Sequence, residues 1–336
     1  MSFRTGPLIL LYSTFFGRWP NLLRLNCETA CRFTIDRRRL PEAKVVLFHL
    51  PTMRGQEFPM RYPGQLWAVF SMESSINFPA LADREFMRQF DITMGYWRDA
   101  AVWTPYFNLG TAKLLRSPPV EKTEAVPLVY FQSSHFDASG RTGYVRALMK
   151  HMPVDSYGRV LNNRRLPGPD RGGQSKLRTI ARYKFTLAFE NSITKDYVTE
   201  KFFEPLIAGS VPVYLGAPNI AEFAPGKNCF INVADFDSPA SLAAYLERIG
   251  ADEAEYGKLL AWKAQPLRPQ FLAMAESVRT WSMYRLCGVI GDGTATGRGM
   301  ADGLSAFGRI SSRPFIRWLS GPPRALLHYL FRLLKH

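Results

Sequence analysis

The sequence predicts an α/β chain made of two doubly wound domains. Short apolar runs rich in Val, Leu, Ile and Phe alternate with stretches of helical character. Several of these runs are continuously apolar, as parallel strands buried on both faces are. A polar, proline-punctuated segment at residues 117–127 divides the 336 residues into two halves of ordinary domain size.

Taken in order, strands are expected at residues 8–12, 44–49, 65–70, 126–132, 185–189, 211–215 and 229–233, with strand-then-turn character at 154–158. Helices are expected at 141–151, 199–208, 238–249 and 253–265. The first strand begins so near Met1 that a signal peptide has no room for its charged region and cleavage site. That reads as a bacterial-type cytoplasmic enzyme or as a chain cut from a longer parent. No segment reaches the roughly 18 apolar residues of a membrane span. Residues 162–175 are polar, basic and rich in Gly and Pro, and read as a surface loop near a site or as an insertion.

The net charge of +15 favours an anionic partner: a nucleotide phosphate, acidic lipid or nucleic acid. The four cysteines, Cys27, Cys31, Cys229 and Cys287, lack the paired spacing of a zinc site. They read as four reduced thiols; the other reading is one disulfide joining Cys287 to Cys27 or Cys31. Residues 303–336 hold no Asp or Glu, but Arg309, Arg313, Arg317, Arg324, Arg332 and Lys335 are all present. From Arg324 the spacing of Leu326, Leu327, Leu330, Leu333 and Leu334 gives a basic amphipathic helix. Trp318, Tyr329 and Phe331 suit a bilayer interface, so peripheral membrane contact is expected; packing on the enzyme's own surface or a dimer contact is the alternative.

Residues 183–218, YKFTLAFENSITKDYVTEKFFEPLIAGSVPVYLGAP, are the most informative stretch. They read as strand, loop, helix, tight turn, strand. Glu190, Asn191 and Ser192 fall at the carboxyl end of a buried strand, where an open α/β sheet binds ligands. Thr199 is a good N-cap and Gly209 a good C′ residue. Tyr197, Glu200 and Lys201 thus stand at a helix N-terminus, whose free N–H groups and partial positive charge suit a diphosphate. Glu200 suits sugar or ribose hydroxyls instead. On local pattern alone, Glu200 and Lys201 read equally well as solvated residues of a first helical turn.

This segment resembles the donor-binding signature of the α1,3/4-fucosyltransferases, glycosyltransferase family 10. The resemblance continues through Phe223, Phe230, Asp235 and Leu242 downstream, and through residues 139–146 and 154–158 upstream. It is weaker in the first half, where residues 63–75 are similar to a family strand that ends in Glu-Ser-Pro. The resemblance implies a GT-B fold, two Rossmann-like domains facing across a cleft. Residues 1–118 would bind the acceptor, 119–285 would bind GDP-fucose, and 286–336 would form the basic tail.

The resemblance also implies roles. Arg141 would contact the diphosphate, and Asn191, Ser192, Tyr197, Glu200 and Lys201 would hold nucleotide and fucose, with Lys201 balancing charge on the leaving GDP. Glu73 would be the base in an inverting transfer to the 3-hydroxyl of N-acetylglucosamine. It is followed by Ser74-Ser75 where the family has Ser-Pro. No metal and no cofactor beyond the donor are expected. Asp235 and Asp237 have the form of a metal motif but read as a capped turn before Ser238, and His135 reads as a loop residue rather than a nucleotide contact. Cys31 and Cys287 correspond to family positions that form disulfides, but the paired C-x-x-C is incomplete here, which favours a reducing compartment. A cytoplasmic enzyme on the inner membrane is therefore expected, or a Golgi-lumenal one if the chain is part of a longer protein. Rival readings are a GT-B enzyme using another nucleotide sugar, and a non-catalytic glycan- or nucleic-acid-binding protein. Nucleic acid is not expected as a partner.

Overall fold

The computed structural model describes residues 6–28 and 30–291. Their chain forms two compact units, one running to Thr104 and resuming at Thr280, the other spanning residues 105–279.

The first unit holds β1 (Leu8–Leu11), α1 (Leu22–Glu28), β2 (Arg32–Thr34), β3 (Val45–His49), α2 (Leu50–Met53), β4 (Leu66–Ser71), α3 (Arg84–Met87), β5 (Ile92–Gly95) and β6 (Val102–Trp103). All pair in parallel in one sheet of order β2-β1-β3-β4-β5-β6. β1 and β3 are buried along their whole length, as the continuous apolar runs predict. One face is an aromatic cluster in which Phe48, Phe58, Trp67, Phe86 and Phe90 meet edge to face or stacked. β2, β5 and β6 escaped the sequence reading; β2 and β6, with three and two residues, are too short to show a period.

The second unit holds α4 (Leu109–Leu114), β7 (Leu128–Gln132), α5 (Arg141–Leu148), β8 (Asp155–Gly158), α6 (Gly173–Ala181), β9 (Phe185–Phe189), α7 (Glu200–Ala208), β10 (Val211–Leu215), β11 (Ile231–Asn232), α8 (Pro239–Ala251), α9 (Glu253–Leu260) and α10 (Pro269–Ser277). Its parallel sheet has the order β11-β10-β9-β7-β8. One face packs Tyr130, Leu187 and Val213 against Val145 and Leu148 of α5 and Leu242 and Leu246 of α8. The other packs Val129 and Tyr157 against Ile180 of α6. The predicted helix at 253–265 stops at Leu260 and gives way to a 3-10 turn, Ala261–Ala264. Part of the stretch read as a loop at 162–175 is instead the first turn of α6.

Residues 105–118, assigned by composition to the first domain, pack in the second unit. Phe107 meets Phe203, Phe223 and Phe271, and the Leu115 carbonyl accepts from the buried Lys263 ammonium at 2.8 Å. Lys263 also donates to Leu206 O at 2.7 Å, capping α7 as a cation at a helix C-terminus does. α11 (Ser282–Gly291) crosses the expected boundary at 285/286 and returns to the first unit, where Arg285 donates to Trp103 O. There Cys287 is joined to Cys31 in a disulfide, which corrects the expectation of four reduced thiols; Cys229 is a buried free thiol. The partners lie 256 residues apart, and only the return of α11 beside β6 brings them together. The amphipathic tail read at residues 310–336, with Trp318, Tyr329 and Phe331, lies outside the described residues. Among the described residues no helix is long and apolar enough to cross a membrane.

His49, at the end of β3, is buried against Phe15, Phe16 and Phe70, and its Nδ1 lies 2.7 Å from Thr52 Oγ1. Burial pushes its pKa down to about 3. Below pH 6.5 the unfolded chain therefore binds a proton that the folded chain refuses until about pH 3, and stability falls with falling pH across that window. We expect the stability lost between pH 7 and pH 5 in urea titrations to be smaller in His49→Gln by about 2 kcal/mol. Peptide mapping without reductant should give a linked Cys31–Cys287 pair, and replacing both by serine should lower stability by about 2–5 kcal/mol in calorimetry.

Candidate donor site

The strand order of the second unit fixes where a ligand can sit. Numbered from β7, the order is 2-1-3-4-5 with a reversal between β7 and β9, and open α/β sheets bind ligands beyond the carboxyl ends of the strands at such a point. The loops that leave β7 and β9 are stitched together there. Ser139 N donates to Asn191 O at 3.1 Å, and Ser139 Oγ donates to Glu190 O at 2.6 Å.

Arg141 opens α5 behind Gly140 and is 2% exposed. Its Nη1 donates to Phe189 O at 3.0 Å, and Nη2 donates to Phe136 O at 3.0 Å and to Ser134 O at 3.4 Å. The guanidinium thus ties the end of β9 to the loop beyond β7. Its buried Nε has no hydrogen-bond partner, and among the described residues no carboxylate pairs with it. A buried cation that meets only carbonyls is short of negative charge.

Thr199 caps α7, its hydroxyl accepting from Lys201 N, and Gly209 ends the helix in the left-handed conformation at φ 75°, both as read from the sequence. Lys201 lies in the first turn with three N–H donors and three oxygens around them. Thr199 Oγ1 is at 2.9 Å, Glu200 Oε1 at 3.0 Å and Glu190 Oε2 at 3.3 Å. Burial works against the ammonium, but Glu200 and Glu190 outweigh it and raise the Lys201 pKa; Arg141 is near enough to work against that rise. For Glu200, burial pushes the carboxyl up, but the Lys201 and Lys176 charges prevail and hold it below its ordinary value. Glu200 Oε2 is buried without a hydrogen-bond partner, an acceptor aimed at nothing the protein supplies.

Asn191 and Ser192 are buried at the strand end, with Ser192 Oγ 3.3 Å from Asn191 Oδ1. Tyr197 is 2% exposed and meets Tyr106 edge to face. Asp196, at φ 64°, pins their loop to the turn after β10 through paired hydrogen bonds with Asn219. Hence Arg141, Asn191, Ser192, Tyr197, Glu200 and Lys201 all belong to the carboxyl edge of the second sheet or the helix that follows it. Glu73 belongs to the first unit, just beyond β4, and is 5% exposed. Ser71 Oγ accepts from its N–H at 3.1 Å, and Ser74 closes the following turn through Asn77 N and Phe78 N, so the loop is held without the family's proline. Asp235 and Asp237 are exposed on a turn before Ser238, which caps α8 with a reciprocal hydrogen bond to Ser241. His135 is exposed. Among the described residues no group of three or more His, Cys, Asp or Glu could hold a metal ion.

Three residues of this centre carried no role in the sequence reading. Glu190 is fully buried and is treated below. Lys176 of α6 reaches Glu204 of α7 at 2.6 Å and steadies the buried face of that helix. The E-x-x-x-E spacing of Glu200 and Glu204 is the only local signal for it.

Comparison with known proteins decides the family. Residues 120–301 match the glycosyltransferase family 10 (fucosyltransferase) C-terminal domain, and residues 4–107 match the fucosyltransferase N-terminal domain. The chain belongs to glycosyltransferase family 10. This fucosyltransferase-family chain is 34% identical over 283 residues to alpha-(1,3)-fucosyltransferase B of Drosophila melanogaster, covering 79% of the chain and 64% of that protein. It is also 34% identical over 295 residues to GDP-fucose protein O-fucosyltransferase 3 of Homo sapiens, covering 82% of the chain and 61% of that protein. The chain thus spans a little under two thirds of these relatives. A crystal structure of α1,3-fucosyltransferase with GDP-fucose superposes with a TM-score of 0.54 at 17% identity, covering 77% of this chain and 83% of that one. The fold is therefore GT-B, with two Rossmann-like domains as the resemblance implies.

Gly216 closes the site's floor. A Cβ there would lie 2.3 Å from Tyr214 Oη and 2.6 Å from Glu190 Cγ. Gly216→Ala should therefore crowd Tyr214 and Glu190 and lower stability by about 1–3 kcal/mol. A melting curve with the wild-type midpoint would show that the close approach is relaxed at no cost.

Proposed function

We propose that this chain is an inverting fucosyltransferase that moves L-fucose from GDP-fucose to the 3-hydroxyl of an N-acetylglucosamine unit in a glycan. The observation that carries the reading is the pair of cations at the switch point of the second sheet: Arg141, buried without a carboxylate partner, and Lys201, half-buried at the N-terminus of α7. A diphosphate supplies the charge that Arg141 lacks, and the helix end adds N–H donors. Asn191, Ser192 and Tyr197 shape the nucleotide pocket, and Glu200 Oε2 accepts from a sugar hydroxyl. As the C1–O bond of the donor breaks, Lys201 and Arg141 stabilise the growing charge on GDP. Two fixed cations do the work that a divalent ion would otherwise do, so no metal is required. Glu73 takes the proton of the attacking hydroxyl, and attack opposite the leaving group inverts the anomeric centre.

The names of the relatives support two acceptor classes. One is an α-(1,3)-fucosyltransferase; others, from several vertebrates, are protein O-fucosyltransferases, which favours a hydroxyl on protein as the second reading. The Cys31–Cys287 disulfide supports an oxidising compartment over the cytoplasm. We also propose peripheral membrane contact through the basic tail, read by vesicle flotation with and without residues 308–336.

The test is an assay of purified protein with GDP-fucose against a panel of N-acetylglucosamine-containing glycans and folded protein modules, with linkage assigned by NMR. We expect transfer that survives EDTA, and a loss of about 10²–10⁴ in kcat for Glu73→Gln. No turnover on any acceptor would sink the reading, and full activity in Glu73→Gln would remove Glu73 as the base.

A further inference from the structure

The Glu190 carboxylate is fully buried at the carboxyl end of β9, and everything around it donates. Thr199 N–H donates to Oε1 at 2.7 Å. Thr199 Oγ1 accepts from Lys201 N and Nζ, so its own hydrogen goes to Glu190 Oε2 at 2.8 Å. The Lys201 ammonium lies 3.3 Å from the same oxygen. A neutral carboxylic acid would need an acceptor for its proton, and these contacts provide none, so the arrangement is that of a carboxylate. The backbone of Glu190 is fixed as well: its N–H donates to Leu215 O at 2.8 Å and its carbonyl accepts from Ser139 Oγ. A Cβ at Gly216 would fall 2.6 Å from its Cγ, so that side has no spare room, and Tyr214 closes it as well. Glu190 cannot leave.

Glu200 differs. It holds Lys201 with one oxygen only, and its other oxygen has no hydrogen-bond partner. Lys201 Nζ donates to Thr199 Oγ1 and Glu200 Oε1 and pairs with Glu190 Oε2, so a phosphate that draws on the ammonium competes with these oxygens. The fixed oxygens belong to Glu190 and Thr199; the exchangeable one belongs to Glu200.

We infer that Glu190 is a positioning residue of the transfer reaction: the permanent counter-ion that holds Lys201 in place and limits its grip on the diphosphate, while the contact of Glu200 Oε1 with Lys201 gives way when the donor binds. This rests on the proposed GDP-fucose reading. Half-neutralising Lys201 keeps the product GDP from being held too tightly, because a buried cation with no counter-ion binds an anion strongly and releases it slowly. The titratable groups that face this carboxylate from other elements are Lys201 and Glu200 on α7 and Tyr214 on β10, and Arg141 on α5 acts on Lys201. Burial pushes the Glu190 pKa up, with Lys201 and the Thr199 hydrogen bonds opposing the rise.

The experiment compares wild type with Glu190→Gln, which keeps an acceptor for Thr199 N–H and removes the charge. GDP affinity is read by calorimetry, and kcat and donor KM by steady-state transfer. The inference expects GDP to bind about tenfold more tightly in Glu190→Gln, and donor KM and kcat to fall together. A residue that merely holds the loop would give the opposite, weaker GDP binding and a raised KM; that result, or no change, overturns the inference. If the amide variant does not fold, Glu190→Asp is read instead. Its retained charge should keep GDP affinity within about twofold of wild type, and a loss of about tenfold or more overturns the inference. Wild type that fails to bind GDP at all would strike the proposed function rather than the role of Glu190.

Discussion

The second unit is organised around charge that has been taken out of water at the carboxyl ends of β7 and β9. A buried ion is tolerated only where its hydrogen bonds are met and its charge is answered. Lys201 meets both conditions through Thr199, Glu190 and Glu200. Arg141 meets the first in part, through three carbonyls, and lacks the second. The difference separates a cation that the protein has already compensated from one that it has not. It also explains the tight backbone around both, since every carbonyl used by Arg141 and every oxygen used by Lys201 must be held in place by something else.

What holds them is the sheet. Parallel strands buried on both faces leave their polar ends at the carboxyl edge, and the reversal of strand order between β7 and β9 sends their crossover helices to opposite faces. Both loops then turn outward over the same gap. α7 aims its N-terminus at that gap, and its far end is capped by Gly209 and by the buried ammonium of Lys263. Desolvation lowers the Lys263 pKa to about 8, which still leaves the ammonium charged at neutral pH to serve its two carbonyls. The helix that presents Glu200 and Lys201 is thus fixed at both ends.

Much of this was legible in the sequence because residues 183–218 state it locally. The strand 185–189, the cap at Thr199, the stop at Gly209 and the strand 211–215 all appear where short-range rules place them. What escaped depends on distant partners. Glu190 looks like one polar residue among three at a strand end, and its role follows from Thr199 and Lys201 folding back over it. Arg141 reads as a phosphate ligand, whereas its bonds to Ser134, Phe136 and Phe189 arise from the stacking of two loops. The Cys31–Cys287 bridge and the packing of residues 105–118 are tertiary facts with no local signature. The short edge strands β2 and β6 carry too few residues to display any pattern.

The first unit has the same 2-1-3-4 strand order at its start, and its own reversal lies between β1 and β3, yet the chemistry there is opposite. The His49 N–H donates to Ser13 Oγ across that gap, and the imidazole is buried and neutral among Phe15, Phe16 and Phe70. Phe16 and Gly17 form the centre of a tight turn, bridged by Phe15 and Arg18, with φ of 50° and 82°. Turns of that kind favour Asn-Gly, and a phenylalanine in the left-handed region costs about 1–2 kcal/mol. The Thr52 hydroxyl, which contacts His49, accepts the Phe16 N–H at 3.2 Å and helps to hold the turn. Two sheets of like topology therefore differ in side-chain chemistry: Arg141, Lys201, Glu190 and Glu200 gather at the reversal of the second, while His49, Phe15, Phe16 and Phe70 pack at that of the first. The difference lies in the side chains at two equivalent points of the fold, and not in the fold itself.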